Sequence, residues 1–311
     1  MNPETTMSKQ HIIIDCDPGI DDALALMLAC GSPRLILEAV TCVAGNRPLH
    51  TTALNAARIL RACGQASLPV YAGCARPLAQ AMARCNEVHG IDGLGGVALA
   101  TGSQPQPEHA CDVLIERLLH PSKPPVTIVA IGPLTNLAVA EIKSPGILRR
   151  AKSILVMGGA MFRPGNITPH AEFNFYADAL AAQVVLDSGA PLKLFGLDVT
   201  TQAVMSPAWI SALRDFPNSG GTLAYDMLQA YSALDPLLHD PCPVAYLLAP
   251  DLFGSVDCEV CVEWRNPDKE GHVWATRAND QLGANSLVSV VIDVDNSALL
   301  QLVAAGIGAL P

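Results

Sequence analysis

The sequence has few positive charges and few aromatic side chains. Its 311 residues include 19 Lys and Arg against 29 Asp and Glu, for a formal net charge of −10, and Phe, Trp and Tyr make up only 5%. Phosphate-rich partners are bound by clustered Lys and Arg, so nucleic acid and anionic membrane are poor partners for this chain. A small neutral or cationic ligand, or a metal ion, suits its charge better.

Long apolar runs are also lacking. No run reaches the ~18 residues that a membrane helix needs, and the start, MNPETTMSKQHIIID, has no basic region followed by a long apolar one. We therefore expect no secretory signal, no membrane segment, a cytoplasmic location and a disordered leader over residues 1–10. The ten cysteines are then expected to be reduced. Cys258 and Cys261 form a lone CxxC pair, which we interpret as structural rather than zinc-binding or redox-active.

Half of the residues are hydrophobic, and apolar β-branched runs alternate with Ala- and Leu-rich helical patterns. Strands that are apolar on both faces and separated by helices favour a parallel sheet covered on both sides. We predict an α/β fold with an open, mostly parallel central sheet and helices on both faces, as a single domain over residues 1–311. The Gly- and Pro-rich segment 76–108 is expected to be mostly loop, and loops of this length are more often functional than idle. Strands are predicted at 11–14, 35–43, 126–131, 153–158, 191–198 and 255–264, and helices at 21–30, 49–63, 110–120, 134–142, 177–189, 222–234 and 297–310.

Four aspartates lie close together in the stretch DCDPGIDDALALML, at Asp15, Asp17, Asp21 and Asp22. The first two follow an apolar run, and ligands of parallel α/β sheets bind beyond the carboxyl ends of the strands. The dipole of the helix that follows favours negative charge by only ~0.3–1 kcal/mol, whereas two carboxylates about 4 Å apart repel by about 4 kcal/mol at an effective dielectric constant of about 20. A cation, a shared proton or an arginine must therefore neutralise the cluster, and oxygen ligands of this kind suit calcium or magnesium.

The opening motif closely resembles the N-terminal signature of the inosine–uridine-preferring nucleoside hydrolases. Further motifs follow in the order of that family: VAGN at 43–46, NEVHGIDGLGG at 86–96, IGPLTNLA at 131–138, VMGGA at 156–160, GNITPHAEFNFYAD at 165–178 and LLHDP at 237–241. The resemblance covers about residues 11–300. It implies a Rossmann-like nucleoside hydrolase fold and hydrolysis of ribonucleosides to ribose and free base. It also implies a bound calcium ion, a homo-oligomer (tetramer or dimer) and a role in nucleoside catabolism or salvage.

The resemblance also assigns a metal site and two catalytic residues. Its metal ligands are Asp17, Asp22, Asp240 and the backbone carbonyl of Ile131, and Asp15 supports them. Threonine is frequent in the family where Ile131 stands, but a carbonyl ligand does not need the side chain. Asp17 would also take a proton from the attacking water. His239 would lie near the departing base, where a group that titrates near neutral pH is useful.

A set of polar and apolar residues is assigned to the substrate by the same resemblance. It consists of Asp21, Asn46, His89, Met157, Asn166, Glu172, Phe173, Asn174 and Tyr231. These side chains bring little positive charge, as a neutral sugar requires, and no phosphate cradle is obvious in the sequence. Glu172 near the 5′-hydroxyl would repel a phosphate. We therefore expect nucleosides rather than nucleotides as substrates.

The preferred base is less well defined by the sequence. Tyr225, Gln229 and Tyr231 are spaced so that some of them share a helical face, in a region where pyrimidine-preferring relatives place polar and tyrosine residues. This favours uridine and cytidine, with a broad or purine-preferring hydrolase as the alternative. Trp264 and Trp274 are candidates for stacking on the base, although packing is the commoner role of such residues.

Two other classes of function remain open from the residues. Magnesium-dependent phosphohydrolases of the haloacid dehalogenase type also open with DxD after a strand, but their signature continues with Gly-Thr and needs a later lysine. A non-catalytic nucleoside- or sugar-binding module could keep the same pocket. The presence of Asp17, Asp22, Asp240 and His239 together argues against that module, since binding alone needs no water-activating metal.

Overall fold

The computed structural model of the chain describes residues 9–81, 83–278 and 287–311, apart from the side chain of Ala230. Nine strands in these residues form one sheet. They are β1 (Gln10–Cys16), β2 (Leu35–Cys42), β3 (Val70–Ala72), β4 (Val126–Ala130), β5 (Ser153–Met157), β6 (Leu192–Phe195), β7 (Phe253–Val262), β8 (Val273–Arg277) and β9 (Val288–Val294). The order across the sheet is β3-β2-β1-β4-β5-β6-β9-β7-β8.

Helices connect most of these strands. They are α1 (Ile20–Gly31), α2 (Leu49–Ala62), α3 (Ala110–Leu119), α4 (Thr135–Lys143), α5 (Phe173–Ala177), α6 (Ala179–Asp187), α7 (Leu197–Thr200), α8 (Pro207–Leu213), α9 (Ser219–Leu234), α10 (Pro241–Leu248) and α11 (Asn296–Gly308). None of the helices in the described ranges has both the length and the apolar character that crossing a membrane would require.

The sheet is mostly parallel, as the sequence predicts. Neighbouring strands from β3 through to β9 pair in parallel, and β7 and β8 extend the sheet in antiparallel fashion beyond β9. The chain runs from β1 outwards to β2 and β3 and then crosses to β4 on the other side of β1. The strand order therefore reverses between β1 and β4, and ligands of such sheets bind at this point, beyond the carboxyl ends of the strands.

Helices cover both faces of the sheet, which confirms the predicted α/β fold. Ile12 and Ile14 pack into a core shared with α1, α2, α9, α10 and α11, whereas Ile13 packs into a second core with α3, α4 and α6. This division follows from the alternation of side chains along a strand. Because both faces are apolar, β1 is a continuous run of buried residues rather than an alternating one.

Several element boundaries differ from the prediction. The run 191–198 is predicted as one strand, but β6 ends at Phe195 and α7 begins at Leu197. The helix predicted from residue 177 begins at Ala179, because Asp178 caps it by accepting a hydrogen bond from the Ala181 N–H at 3.1 Å. The sequence does not predict β3, β8 and β9, nor α5, α7, α8 and α10. In the described part of segment 76–108, a single bridge at Gln106 is the exception to the expected loop.

The structure also bears on the expected leader and on the CxxC pair. Residues 1–8 of the expected leader lie outside the described residues, and Gln10 belongs to β1 rather than to a leader. In β7, Cys258 is buried while Cys261, three residues on, is exposed. Residues three apart in a strand point to opposite faces, so this pair cannot bind one ion together.

Helices α1 and α11 approach each other unusually closely. A Cβ at Gly31 would collide with the carbonyl oxygen of Gly306, and a Cβ at Gly306 would lie 2.6 Å from Leu28 Cδ1. The two glycines thus let the helix backbones touch. As a result, the helix that carries Asp21 and Asp22 is held from behind by the last helix of the described chain.

Candidate active site

The acidic motif forms a strand–turn–helix corner at the end of β1. Asp17 lies in the turn, and Asp21 and Asp22 lie in the first turn of α1. Asp22 accepts hydrogen bonds from the backbone N–H groups of Asp17 at 3.2 Å and Gly19 at 2.8 Å, which fixes the turn. Asp17 and Asp22 are fully buried, and Asp21 is only 6% exposed. The sequence thus places three carboxyl groups in one desolvated corner.

Backbone closely surrounds the carboxylate of Asp17. Its Oδ2 accepts a hydrogen bond from the Asn46 N–H at 2.6 Å. A Cβ at Gly132 would lie 2.6 Å from Asp17 Oδ1, so only glycine permits this approach. No donor among the described residues reaches Asp17 Oδ1. A buried carboxylate oxygen without a donor is costly, which points to a bound cation or water at this atom.

Asp240 completes a three-carboxylate group. It directly precedes α10, and carboxylate oxygens of Asp21, Asp22 and Asp240 lie within 4.8 Å of one another. Asp17, expected among the ligands from the family resemblance, lies beside this group rather than within it. Asn46 joins the two parts, because its N–H binds Asp17 and its Nδ2 donates to Asp22 Oδ2 at 3.2 Å.

Burial and mutual repulsion raise the pKa values of these carboxyl groups. Burial, reinforced by the charge of Asp21, raises the pKa of Asp22 to about 7. Burial also raises the pKa values of Asp17 and Asp240 well above their usual range, with further contributions from the neighbouring aspartates. In the described part of the chain, no Lys or Arg forms an ion pair with the cluster. An all-oxygen donor set of this kind fits a hard divalent cation such as calcium or magnesium.

Asp15 supports the corner from behind. It accepts hydrogen bonds from Thr41 Oγ1 at 2.6 Å and Asn136 Nδ2 at 2.8 Å, and it does not reach the pocket. Burial raises its pKa to about 7, although both hydrogen bonds act in the opposite direction. The structure thus places Asp15 outside the pocket lining, and its supporting role stays a prediction.

A pocket lies directly in front of the carboxylates. Every residue expected at the substrate lines it, namely Asp21, Asn46, His89, Met157, Asn166, Glu172, Phe173, Asn174 and Tyr231. The expected metal-site or catalytic residues Ile131, His239 and Asp240 line it too. Asp17 and Asp22 do not line the pocket, since they are buried behind Asn46. Asn86, Val88 and Asp235 also line it, and the sequence gives them no role. Asn86 and Val88 belong to the NEVHG motif, which is the signal that could have included them.

The start of α5 orients the carboxylate on the far side of the pocket. Glu172 caps this helix, and its two oxygens accept hydrogen bonds from three backbone N–H groups at 2.8–3.2 Å. Burial nevertheless raises its pKa. Asn174 Nδ2 donates to the carbonyl oxygens of Ile131 at 3.0 Å and Met157 at 3.1 Å. These bonds tie α5 to the ends of β4 and β5, where the sheet opens.

His239 lies between Thr200 and Asp235. Its Nδ1 is 2.8 Å from Thr200 Oγ1, and its Nε2 is 3.1 Å from Asp235 Oδ2. Burial lowers the pKa of His239, but the hydrogen bond and charge of Asp235, together with Asp21 and Glu172, outweigh burial and raise it. The sequence analysis does not identify Asp235 as the partner of His239. The four-residue spacing between the two is the feature of the sequence that could have indicated this pair.

His89 and Tyr231 stack across the pocket. Their ring centroids are 5.3 Å apart with an interplanar angle of 16°. His89 Nδ1 accepts from the Ile20 N–H at 3.1 Å, so the neutral ring carries its proton on Nε2, 3.8 Å from Asp21 Oδ1. Burial lowers the pKa of His89 and favours this neutral form. The free volume of the pocket is about 40 Å³, far below the roughly 300–1,000 Å³ of most small-molecule pockets. In this conformation the stacked His89 and Tyr231 rings occupy one side of a narrow pocket.

Four of the residues considered for base contacts lie elsewhere. Tyr225 and Gln229 share α9 with Tyr231, but neither lines the pocket. Trp264 packs against the core next to α6, and Trp274 is 42% exposed on β8. Neither tryptophan lines the pocket, so the structure gives no support to the stacking role considered for them.

Comparison with known proteins identifies the same family that the sequence motifs resemble. The model of the family described as inosine-uridine preferring nucleoside hydrolase matches residues 12–301. The chain is 39% identical over 304 residues to the pyrimidine-specific ribonucleoside hydrolase RihA of Photobacterium profundum, which covers 94% of this chain and 97% of that relative. It is 41% identical over 261 residues to an uncharacterized protein of Schizosaccharomyces pombe, with 81% and 84% covered.

Solved structures resemble the whole fold. A plant nucleoside hydrolase, PpNRh1, matches with a TM-score of 0.89 and 30% identity, covering 96% of this chain and 98% of that chain. A purine-preferring ribonucleoside hydrolase from Gardnerella vaginalis matches with a TM-score of 0.88 and 29% identity over the same shares. Such complete matches leave no room for the phosphohydrolase interpretation of the opening DxD. The chain belongs to the inosine–uridine-preferring nucleoside hydrolase family and is a ribonucleoside N-glycosyl hydrolase.

Proposed function

We propose that this hydrolase depends on calcium and prefers the pyrimidine nucleosides uridine and cytidine. The observation that carries the metal requirement is Asp17 Oδ1, a buried carboxylate oxygen without a donor in the described residues, beside the Asp21–Asp22–Asp240 group. An uncompensated buried charge is strongly destabilising, and a divalent cation removes that cost for several carboxylates at once.

The residues around the cluster have distinct roles in this proposal. Asp17, Asp22, Asp240 and the Ile131 carbonyl hold the ion. Calcium bound there would orient a water and make it more acidic. Asp17 would take a proton from the attacking water as general base. The surrounding carboxylates favour the positive charge that develops on the ribose in an oxocarbenium-like transition state.

The base needs help to depart with the bonding electrons. His239 is proposed as the donor that protonates or hydrogen-bonds the leaving base. Asp235 supports this role, because its hydrogen bond and charge hold His239 ready to carry a proton in a buried place. Thr200 Oγ1 fixes the other ring nitrogen and so sets the direction of Nε2.

The ribose is proposed to lie between the aspartate corner and α5. Asp21 and Asn46 would hold the hydroxyls on one side, and Asn166, Glu172 and Asn174 those on the other. Glu172 has both oxygens fixed by backbone N–H groups, so its charge cannot turn away from an entering ligand. A 5′-phosphate beside this carboxylate would be repelled, which supports nucleosides as substrates.

The pyrimidine preference is supported by similarity rather than by a single contact. The relative from P. profundum is named pyrimidine-specific and is 39% identical. The solved G. vaginalis enzyme is named purine-preferring and is 29% identical. On the base side, the polar groups of Asn86 and Asp235 lie with Tyr231 in the pocket lining, where a uracil or cytosine edge could bind them.

The test is release of ribose from uridine, cytidine, inosine and adenosine. Each is assayed with untreated enzyme, after exhaustive chelation, and after chelation with calcium or with magnesium added back. We expect release from uridine and cytidine to exceed the others, to stop on chelation and to return with calcium. Full activity after chelation, or recovery with magnesium alone, would overturn the calcium requirement. Faster release from inosine would overturn the pyrimidine preference.

Location and assembly stay as predictions from the sequence and the family resemblance. We expect a cytoplasmic enzyme that forms a homo-oligomer, either a tetramer or a dimer. Sedimentation of the purified protein tests the second expectation directly, and a monomer at micromolar concentration would contradict it.

A further inference from the structure

Two cysteines and a histidine meet at the edge of the second core, away from the pocket. Cys74 lies two residues after β3, His109 caps α3, and Cys111 lies in the first turn of that helix. Their ligand atoms lie within 4.8 Å of one another. Cys111 is buried, Cys74 is half-buried and His109 is exposed, so the cluster sits at the protein surface with one face open to solvent.

The spacing of the two sulfurs is the informative distance. Cys74 Sγ and Cys111 Sγ are 3.7 Å apart. Zn–S bonds of about 2.3 Å at a tetrahedral angle place two thiolate sulfurs about 3.8 Å apart. The pair is therefore already spaced as two ligands of one tetrahedral ion. An imidazole nitrogen of the exposed His109 lies within the same 4.8 Å. Its Nδ1 accepts a hydrogen bond from the Cys111 N–H at 3.3 Å, which leaves Nε2 as the nitrogen without this bond.

We propose that Cys74, Cys111 and His109 bind a soft divalent transition metal, with zinc as the expected ion. Thiolate and imidazole ligands select zinc over calcium and magnesium, which take oxygen ligands. The site is thus chemically distinct from the all-oxygen cluster at the pocket. Binding releases two thiol protons, so a Zn²⁺ ion with two thiolates and a neutral imidazole is a neutral centre.

The surroundings act on this charge change in both directions. The hydrogen bond with the Cys74 thiol and burial raise the pKa of Cys111, and Lys143, at the end of α4, acts against them. Lys143 also forms an ion pair with Asp112, the residue after Cys111. Asp112 therefore offsets part of the positive charge of Lys143 beside the cluster. The N-terminal end of α3 also favours thiolate charge at Cys111.

The cluster is connected to the active-site corner by one side chain. Asn136 Oδ1 accepts hydrogen bonds from the Cys74 N–H at 2.8 Å and lies 3.8 Å from Cys111 Sγ. Asn136 Nδ2 donates to Asp15 Oδ2 at 2.8 Å. A metal at the cysteines would remove the Cys111 thiol proton that faces Asn136 Oδ1 and so change the contacts of this residue, although binding itself does not depend on the proposed substrate or calcium.

The experiment uses Co²⁺ as a spectroscopic substitute for zinc on the reduced protein with saturating Ca²⁺, which keeps hard-ligand sites filled. We expect one equivalent of Co²⁺ to give a thiolate-to-cobalt charge-transfer band that Zn²⁺ abolishes in competition. His109→Ala changes only an exposed ligand, and Cys74→Ser a half-buried one, so both variants should fold. Each should weaken binding by more than about 10- to 100-fold, since even changes next to a metal ligand cost this much.

Cys261→Ser is the matched control, because it removes an exposed thiol far from the cluster in the fold. Its cobalt band and affinity should equal those of the unchanged protein. Absence of the band in the reduced protein would overturn the proposal. So would a band that His109→Ala and Cys74→Ser leave intact. A Cys74–Cys111 disulfide that thiol reductants fail to open, and that excludes the metal, would overturn it as well.

Discussion

Asp235 Oδ2 lies 3.1 Å from His239 Nε2, across the break between α9 and α10. Asp235 ends one helix and His239 precedes the next, so the pair is formed by the turn between them. Both side chains line the pocket. This turn therefore fixes the orientation of the one imidazole that is proposed to act on the leaving base.

His239→Ala should slow natural nucleosides more than an activated substrate. Loss of a general acid typically costs about 10²–10⁴-fold in rate, so we expect kcat for uridine to fall in this range. p-Nitrophenyl riboside releases a stable anion without protonation and should lose much less. Asp235→Asn, which keeps the histidine but weakens its orientation, should give a smaller loss on uridine. Equal losses on both substrates would contradict an acid role for His239.

Asp17→Asn should abolish hydrolysis and leave the fold intact. The change keeps the size of the side chain but removes the general base and one metal ligand, so kcat should fall by at least about 10³-fold. Asp226→Asn, on the exposed face of α9, is the matched control and should keep full activity. The measurements are ribose release and far-ultraviolet circular dichroism. Retained activity in a folded Asp17→Asn protein would refute its role as base.

Metal-free protein should lose stability as the pH rises from about 4 to about 7. The carboxyl groups of Asp15 and Asp22 have pKa values of about 7 in the folded chain, against about 3.9 when unfolded. The folded state then binds more protons than the unfolded state in this window, so the free energy of unfolding falls with rising pH. The raised pKa of Asp15 alone should lower the free energy of unfolding by about 4 kcal/mol across this window.

Calcium should remove part of this loss. Its stabilising effect should therefore be larger at pH 8 than at pH 5.5, where protons already neutralise part of the cluster. The measurement is the melting temperature with calcium and with chelator at both pH values. A calcium effect that is equal at the two pH values, or larger at pH 5.5, would contradict this account of the cluster.

Tyr231→Ala should affect both stability and substrate affinity. The ring is 99% buried and stacks on His89, and truncating a buried aromatic side chain typically costs about 3–5 kcal/mol. Without this partner the His89 loop should close less well, so KM for uridine should rise. Tyr231→Phe keeps the ring and should keep most of the stability. An unchanged KM in Tyr231→Ala would show that the stacked pair does not order the pocket.

The sequence predicts those strands and helices that have long, uninterrupted apolar or helical patterns. The run HIII before the aspartates and the Ala- and Leu-rich pattern after them specify β1 and α1, because a buried strand and a buried helix both need apolar residues without interruption. β3 has only three residues, too few for a pattern. β6 is followed after one residue by α7, and apolar residues on both sides of Gly196 hide the boundary.

The candidate site divides in the same way. Asp17 and Asp22 lie in the motif that follows β1, so their closeness follows from the sequence, whereas Asp240 reaches them from the start of α10. Asp235 and Thr200 contact His239 only because α7 and the end of α9 meet in space. The grouping of Asp21 rather than Asp17 with the other two carboxylates depends on side-chain directions. Local sequence patterns carry no information about such directions.

The contact between Gly31 and Gly306 has a consequence for how the enzyme is made. The outer face of α1 remains uncovered on the ribosome until α11, near the far end of the described chain, has been synthesised. Contacts between such distant segments form slowly and leave apolar surface exposed meanwhile. A nascent chain lacking α11 should therefore expose this face of α1 and depend on chaperones to avoid aggregation.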